Sequence, residues 1–176
     1  MALLAVGCAT QPTAGRPPAA SFNATDTAWI QLMIPMDERA RLLTDLAPSH
    51  KGDPALAALA AETGLRLRTD LGRLHDLLEL SGVPDTHPHE GHDMPGMVSL
   101  DTVKSADSTT GQDFDRILTE ALRGHLGQSQ LLCVGEQAQG QAGKAKELAA
   151  AITRSTADQT ARLDGLRPAD GTSTGG

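Results

Sequence analysis

Residues 54–80, PALAALAAETGLRLRTDLGRLHDLLEL, are the part of the chain that decides its fold. Mostly apolar side chains recur there every three or four residues, which is the spacing of one face of an α-helix. These residues are Leu56, Leu59, Thr63, Leu67, Leu71, Leu74 and Leu78. Asp53-Pro54 is a typical helix start and Ser81-Gly82 a typical helix end, so a helix is predicted over about 54–80.

The same spacing predicts three further helices, over about 25–46, from about 112, and over about 144–166. Either Asn23 or Thr25 can cap the start of the first of them. Glycine weakens a helix interior, so we expect the helix that starts near 112 to break at the glycines after residue 130. These are Gly135, Gly140 and Gly143.

The four helices are two copies of one hairpin. A constant offset of 89 positions relates Asp26 to Asp115, Leu74 to Leu163, and the Leu-Ala-Ala run at 59–61 to the one at 148–150. Such a constant shift across two separate helices indicates an internal duplication. Two hairpins joined by a long segment, about 83–110, predict an all-α four-helix bundle with one crossover connection.

Composition and net charge limit the size of the domain, the makeup of its core and the kind of partner it can bind. The 176 residues suffice for one domain, here 22–167, and aromatic residues make up only 2% of the chain, so the core must be aliphatic. A net charge of −7 argues against nucleic acid as a partner, because phosphate binding needs a basic surface. Residues 9–21 are typical of a flexible linker, and 168–176 of a disordered tail.

The run Leu3-Leu4-Ala5-Val6-Gly7-Cys8 resembles the lipobox of a bacterial lipoprotein signal, of which residues 1–8 would be a remnant. In such signals the cysteine carries a diacylglyceryl group, which predicts a protein outside the cytoplasm, attached to the cell membrane by a lipid anchor on Cys8. The apolar run is short and no charged residue precedes it, so we expect the true start codon to lie upstream. A chance Ala-rich N-terminus is the alternative. Cys133 is interpreted as an inert apolar filler.

The crossover contains the chain's densest group of metal-ligating side chains: His87, His89, His92, Met94 and Met97. Imidazole and thioether together form a soft to borderline ligand set that suits copper, and Cu(I) in particular, because Cu(I) makes loose geometric demands. Cu(II) would prefer the histidines with Glu90 and Asp93, and zinc could use the three histidines alone. The alternative without a metal is a solvated polar loop that happens to be rich in histidine.

Four motifs together resemble the domain of unknown function 305 family over residues 22–166. They are Phe22-Asn23-Ala24-Thr25-Asp26, Met33-Ile34-Pro35, His92-Asp93-Met94-Pro95-Gly96-Met97 and Phe114-Asp115-Arg116. The resemblance implies a ferritin-like four-helix protein, often exported. Several members of the family are associated with copper binding or copper tolerance.

The chain departs from the family where the family has its interior polar site. After Met-Ile-Pro the family has a His-His pair, and this chain has Met36 and Asp37; a second pair is replaced by His125 and Leu126. A Gln and a Glu on each of the other two helices are replaced, by Leu67 and Asp70 on one and by Thr156 and Gln159 on the other. Met36, Asp37 and His125 therefore remain as a candidate second metal site.

The sequence contains no enzyme motif. No histidine has a carboxylate three residues before it, as the di-iron sites of such bundles require, and no phosphate loop or nucleophile motif is present. The first hypothesis is a binding protein for copper storage, buffering or tolerance, with no protein partner identified. The second is a degenerate bundle without metal binding, which serves as an interaction or structural module at the cell surface.

Overall fold

A computed structural model describes residues 21–86, 88–89 and 93–166. Within that part the chain forms five α-helices, one short 3₁₀ helix and no strand. The α-helices are α1 (Ala24–Thr44), α2 (Pro54–Ser81), α3 (Leu100–Asp107), α4 (Gln112–Gln139) and α5 (Gly143–Gly165), and the 3₁₀ helix is Ala47–Ser49. The predicted all-α class is confirmed, and none of these helices is long and apolar enough to cross a bilayer.

The ends of the first two helices are set by the residues that the sequence indicated. Asn23 caps α1: its side chain accepts a hydrogen bond from the Asp26 amide, and Asp26 accepts one from the Asn23 amide in return. Asp53 caps α2 by accepting from the amides of Ala55 and Leu56. Gly82 follows α2 with a φ of 70°, the left-handed conformation in which glycine avoids a steric penalty.

The four long helices form a bundle of two hairpins. α1 packs along α2 and α4 along α5, while α1 also contacts α4 and α2 contacts α5. Two apolar clusters fill the interior, one around Trp29 and Leu74 and the other around Phe114 and Leu118. Burial of these aliphatic faces supplies the main driving force for folding, as the low aromatic content required.

Two elements differ from the sequence expectation. α4 does not break at Gly135 but continues to Gln139, because Cys133 and Glu136 on either side of this glycine are buried in the bundle. Tertiary packing of this kind outweighs the cost of about 1 kcal/mol that glycine imposes in a helix. The crossover also contains α3, a helix that was not expected; its eight residues are fewer than the window of about 11 over which helical spacing can be recognised in a sequence.

Hydrogen bonds at equivalent positions fasten each hairpin to the turn of the other. The carboxylate of Asp26, at the start of α1, accepts from the amides of Gln141 and Ala142 in the α4–α5 turn at 3.0 Å. The carboxylate of Asp115, at the start of α4, accepts from the Asp53 amide in the α1–α2 turn at 2.9 Å. Asp53 and Ala142 are themselves related by the offset of 89, so the duplication seen in the sequence is also a repeat of contacts.

We expect Asp26→Ala to lower the free energy of unfolding by about 3 kcal/mol and Asp115→Ala by about 1 kcal/mol, because charged acceptors of amide hydrogen bonds contribute about 1.5–3 kcal/mol when buried. Asp26 is fully buried and accepts from both amides of the turn, whereas Asp115 is partly exposed and accepts from one. Urea denaturation measures the difference. Asp113→Ala is the control, since Asp113 is exposed on the same helical turn as Asp115. An equal effect of all three substitutions would contradict the assignment.

Candidate functional site

The described part of the crossover motif forms a tight turn. The Met97 amide donates to the Met94 carbonyl at 2.9 Å, and Gly96 takes a φ of 75° inside the turn. Pro95 and Gly96 are residues that such a turn requires, because proline fixes φ near −65° and glycine accepts positive φ. The two methionines therefore lie at the two ends of one rigid turn.

This turn is docked on α4. A Cβ on Gly96 would collide with the Gln128 side chain and with the backbone carbonyl of Gly124, so only glycine permits this approach. On the other side, Asp93 lies 3.6 Å from the guanidinium of Arg39 on α1. Two further described residues of the crossover contact the core: Val83 packs on the apolar cluster around Trp29, and Val98 is buried in the cluster around Phe114.

The structure describes three of the five candidate loop ligands. Met97 is buried with 8% of its surface exposed, and Met94 and His89 are half-buried. His87 and His92 lie outside the described residues, as do the alternative ligand Glu90 and the lipobox residue Cys8. Met94, Met97 and His89 are thus placed on the crossover as predicted, and the complete ligand set stays a prediction.

A second polar group lies inside the bundle, between the two apolar clusters. Nε2 of His125 on α4 is 3.6 Å from Oδ1 of Asp37 on α1, and both side chains are almost wholly buried. They line a cavity of about 10 Å³. Its other polar walls are Thr63, Arg66, Asp70, Ser129, Ser155, Thr156 and Gln159.

Burial controls the protonation of this pair. It lowers the pKa of His125 to about 4. It also raises the pKa of Asp37 well above its usual value, and the nearby carboxylates of Asp70 and Glu38 add to that shift. Removing a charge from water is costly, so the low-dielectric interior favours a neutral imidazole and a neutral carboxyl over an ion pair.

A pair of carboxyl groups lies where α1 meets the end of α4. Burial acts to raise the pKa of Asp26, but the amides of Asn23 and Ala142 and the facing Glu136 carboxyl outweigh it, so its pKa lies below the usual value. Burial raises the pKa of Glu136 to about 8, and Asp26 adds to the shift. Among the described residues, neither oxygen of Glu136 has a partner in good hydrogen-bond geometry. The packing therefore shifts the two pKa values apart, that of Glu136 upward and that of Asp26 downward.

Cys133, one turn before Glu136, is fully buried. Burial raises the pKa of its thiol to about 12, which keeps the unreactive thiol form at physiological pH. The predicted role as an apolar filler agrees with this position.

Comparison with known proteins identifies the family. The family model for the domain of unknown function DUF305 matches residues 26–167. The chain belongs to the DUF305 family. No functionally curated protein matches its sequence significantly.

Solved structures share the DUF305 fold with this chain. A DUF305 protein of Streptomyces coelicolor, described as a "putative secreted protein", superposes with a TM-score of 0.73 at 18% identity, covering 84% of this chain and 93% of that one. A DUF305 fragment from Deinococcus radiodurans gives 0.71 at 16% identity, covering 83% and 97%. A "putative spore coat protein" of Bacillus halodurans gives 0.61 at 14% identity, covering 86% and 91%.

The positions at which this chain departs from the DUF305 pattern lie around the interior cavity. All four positions that replace the family's Gln and Glu residues line the cavity, and so do Asp37 and His125. Met36 is also fully buried but is not a wall of the cavity. Within the described ranges, no three His, Cys, Asp or Glu side chains are grouped closely enough to hold a metal ion.

Sequence reasoning missed Ser129 and Glu136. Ser129 lies four residues after His125 and therefore on the same face of α4, a spacing that was visible in the sequence. Glu136 is a charged residue type within a helix, and nothing in its neighbours indicated burial beside Asp26. Only the packing of α1 against α4 brings these two carboxyls together.

We expect Glu136→Gln to remove a loss of stability that the wild type shows as the pH rises from about 4.5 to about 8. A carboxyl with a raised pKa in the folded state stabilises the fold fully below its ordinary value of 4.5 and loses that contribution as the pH rises through about 8. Between about pH 4.5 and 8 the wild type should therefore lose stability relative to the variant, because over this range the folded state holds a proton that the unfolded state has released. Urea denaturation across this range measures it, with the exposed Glu120→Gln as control. Parallel curves for wild type and Glu136→Gln would contradict the raised pKa.

Proposed function

We propose that this DUF305 protein binds copper outside the cytoplasm through the crossover residues His87, His89, His92, Met94 and Met97, for storage, buffering or tolerance. It acts as a binding protein and not as an enzyme. The observation that carries the proposal is the anchored Met94–Met97 turn, which holds two thioether residues at fixed backbone positions. Thioethers select soft ions, and Cu(I) is the soft ion most compatible with added imidazole ligands.

The anchoring of the crossover supports this function. The turn docks on Gly124, Asp93 lies beside Arg39, and Val83 and Val98 pack into the core. A segment held in this way loses less conformational freedom when it closes around an ion than a free tail would. His89 and Met94 are half-buried, so each side chain keeps part of its surface in contact with solvent.

The interior residues Met36, Asp37 and His125 supply weaker support for a metal. Asp37 and His125 lie together, but the environment favours their neutral forms, and Met36 does not line their cavity. A neutral imidazole can bind a metal, whereas a protonated carboxyl must first lose its proton. We therefore assign copper to the crossover and leave the interior out of the site.

The second candidate is an interaction or structural module at the cell surface without a metal. Its support is the closed packing of the interior polar positions, in which Thr63 contacts Gln159 at 3.2 Å. The fold similarity to the Bacillus halodurans "putative spore coat protein" is compatible with such a role. The two candidates differ in one measurable property, the affinity for copper.

Purified protein should bind about one Cu(I) per chain in competition with a chromogenic chelator. Replacing all five crossover ligands by Ala should abolish binding, because the remaining carboxylates and backbone carbonyls are poor ligands for Cu(I). His75→Ala, which removes an exposed histidine of α2, is the matched control and should bind as the wild type does. Met36→Leu tests the interior site.

Circular dichroism of each variant shows that the bundle is folded. Unchanged stoichiometry in the five-residue variant would overturn the crossover assignment. Loss of binding in Met36→Leu alone would move the site into the bundle. Absence of Cu(I) binding in the wild type would favour the surface module.

The proposed location predicts lipid attachment at Cys8. Expressed in a bacterial host from the expected upstream start codon, the wild type should partition with the membrane fraction and incorporate labelled fatty acid, and Cys8→Ser should do neither. Cys133→Ala is the control, because the thiol of Cys133 is buried and unreactive. Equal labelling of the wild type and Cys8→Ser would contradict lipid attachment at Cys8.

A further inference from the structure

We propose that the cavity beside His125 is a binding site for one structural water molecule, which bridges His125 Nδ1 and Ser129 Oγ and exchanges with solvent through a groove between α2 and α5. The site is separate from the crossover, and the proposal does not depend on copper. Such a water would connect the buried pair of Asp37 and His125 to bulk solvent.

Two unpartnered atoms define the site. Within the part of the chain that the structure describes, Nδ1 of His125 and Oγ of Ser129 have no hydrogen-bond partner, although each residue is only 1% exposed. The two residues are four positions apart on α4, so their side chains lie one above the other on one helical face. Buried polar atoms without partners are costly, and native proteins usually satisfy them with protein groups or ordered water.

The cavity has the size of one water molecule. Its volume of about 10 Å³ is close to the minimum space that a water requires. A buried water also needs two to four polar partners, which the walls provide. Asp37 and Gln159 stand beside the two α4 residues as further partners.

The donors and acceptors can be matched without conflict. A neutral imidazole carries one proton, and a proton on Nε2 faces the Asp37 carboxyl and leaves Nδ1 as an acceptor. The water then donates to Nδ1 and accepts from the Ser129 hydroxyl. The hydroxyl of Thr156 donates to the Ile152 carbonyl within α5 at 3.0 Å and does not compete for this place.

The route to solvent lies between α2 and α5. An open groove of about 400 Å³ on that face shares three wall residues with the cavity, which are Arg66, Asp70 and Ser155. Arg66 is held to one side by Glu62 at 3.2 Å, and Glu62 also binds Arg162 at 2.7 Å. The interior is thus separated from the groove by side chains that are themselves partly exposed.

Water-to-protein NMR cross-relaxation tests the site in the wild type without any variant. We expect cross-peaks between water and the α4 amides near residues 125–129, with the sign of a long-lived bound water. A crystal structure should show a water within hydrogen-bond distance of both atoms. Absence of the cross-peaks in the folded wild type would overturn the proposal.

Variants then assign the partners and the route. Ser129→Val should fill the space and remove the cross-peaks, and the ¹⁵N shift of His125 Nδ1 should move toward that of a free acceptor. Thr160→Val is the matched control, because Thr160 Oγ1 is also buried without a partner but does not line the cavity. Persistence of the cross-peaks in folded Ser129→Val would overturn the site. Ser155→Leu should lengthen the residence time of the water, and an unchanged residence time would overturn the route.

Discussion

The carboxylates of Asp26 and Asp115 hold the two hairpins in one arrangement, because each accepts amide hydrogen bonds from the turn of the opposite hairpin. Helix packing by apolar faces alone is compatible with several rotations and displacements of one hairpin along the other. A buried carboxylate that accepts from two fixed amide donors is compatible with only one position of the hairpins. The same carboxylates therefore fix the register of α1 against α4, and this register places Asp37 opposite His125.

The two copies of this interaction differ in burial. Asp115 reaches its amide at the partly exposed end of the bundle, beside Gly52, where a side chain would collide with it. Asp26 is fully buried and shares its surroundings with Glu136, whose pKa is raised there by burial and by Asp26. The duplicated fold thus carries a titratable carboxyl pair in one half only. The pair of Asp37 and His125 is also not repeated by the duplication. The offset of 89 relates His125 to Met36 and Asp37 to Leu126.

Periodicity and capping residues predicted the four long helices to within two residues at most ends, because amphipathic spacing and side-chain caps act locally. The continuation of α4 past Gly135 and the existence of α3 were not predictable in this way. In α4 the burial of Cys133 and Glu136 outweighs the cost of the glycine, whereas α3 has only eight residues, fewer than the window over which helical spacing can be recognised. The interior site was half predicted, since family positions identified Asp37 and His125 but not Ser129.

The sequence by itself determined the all-α class, the duplication, the crossover and the gathering of soft ligands on it, because each is a pattern of residue types along the chain. Only the tertiary structure determined which of those residues are buried and which contact one another. It buried Met97, docked the Met94–Met97 turn on Gly124, and placed Glu136 beside Asp26. The physical reason is that burial and desolvation depend on the packing of separate helices, which no local spacing encodes.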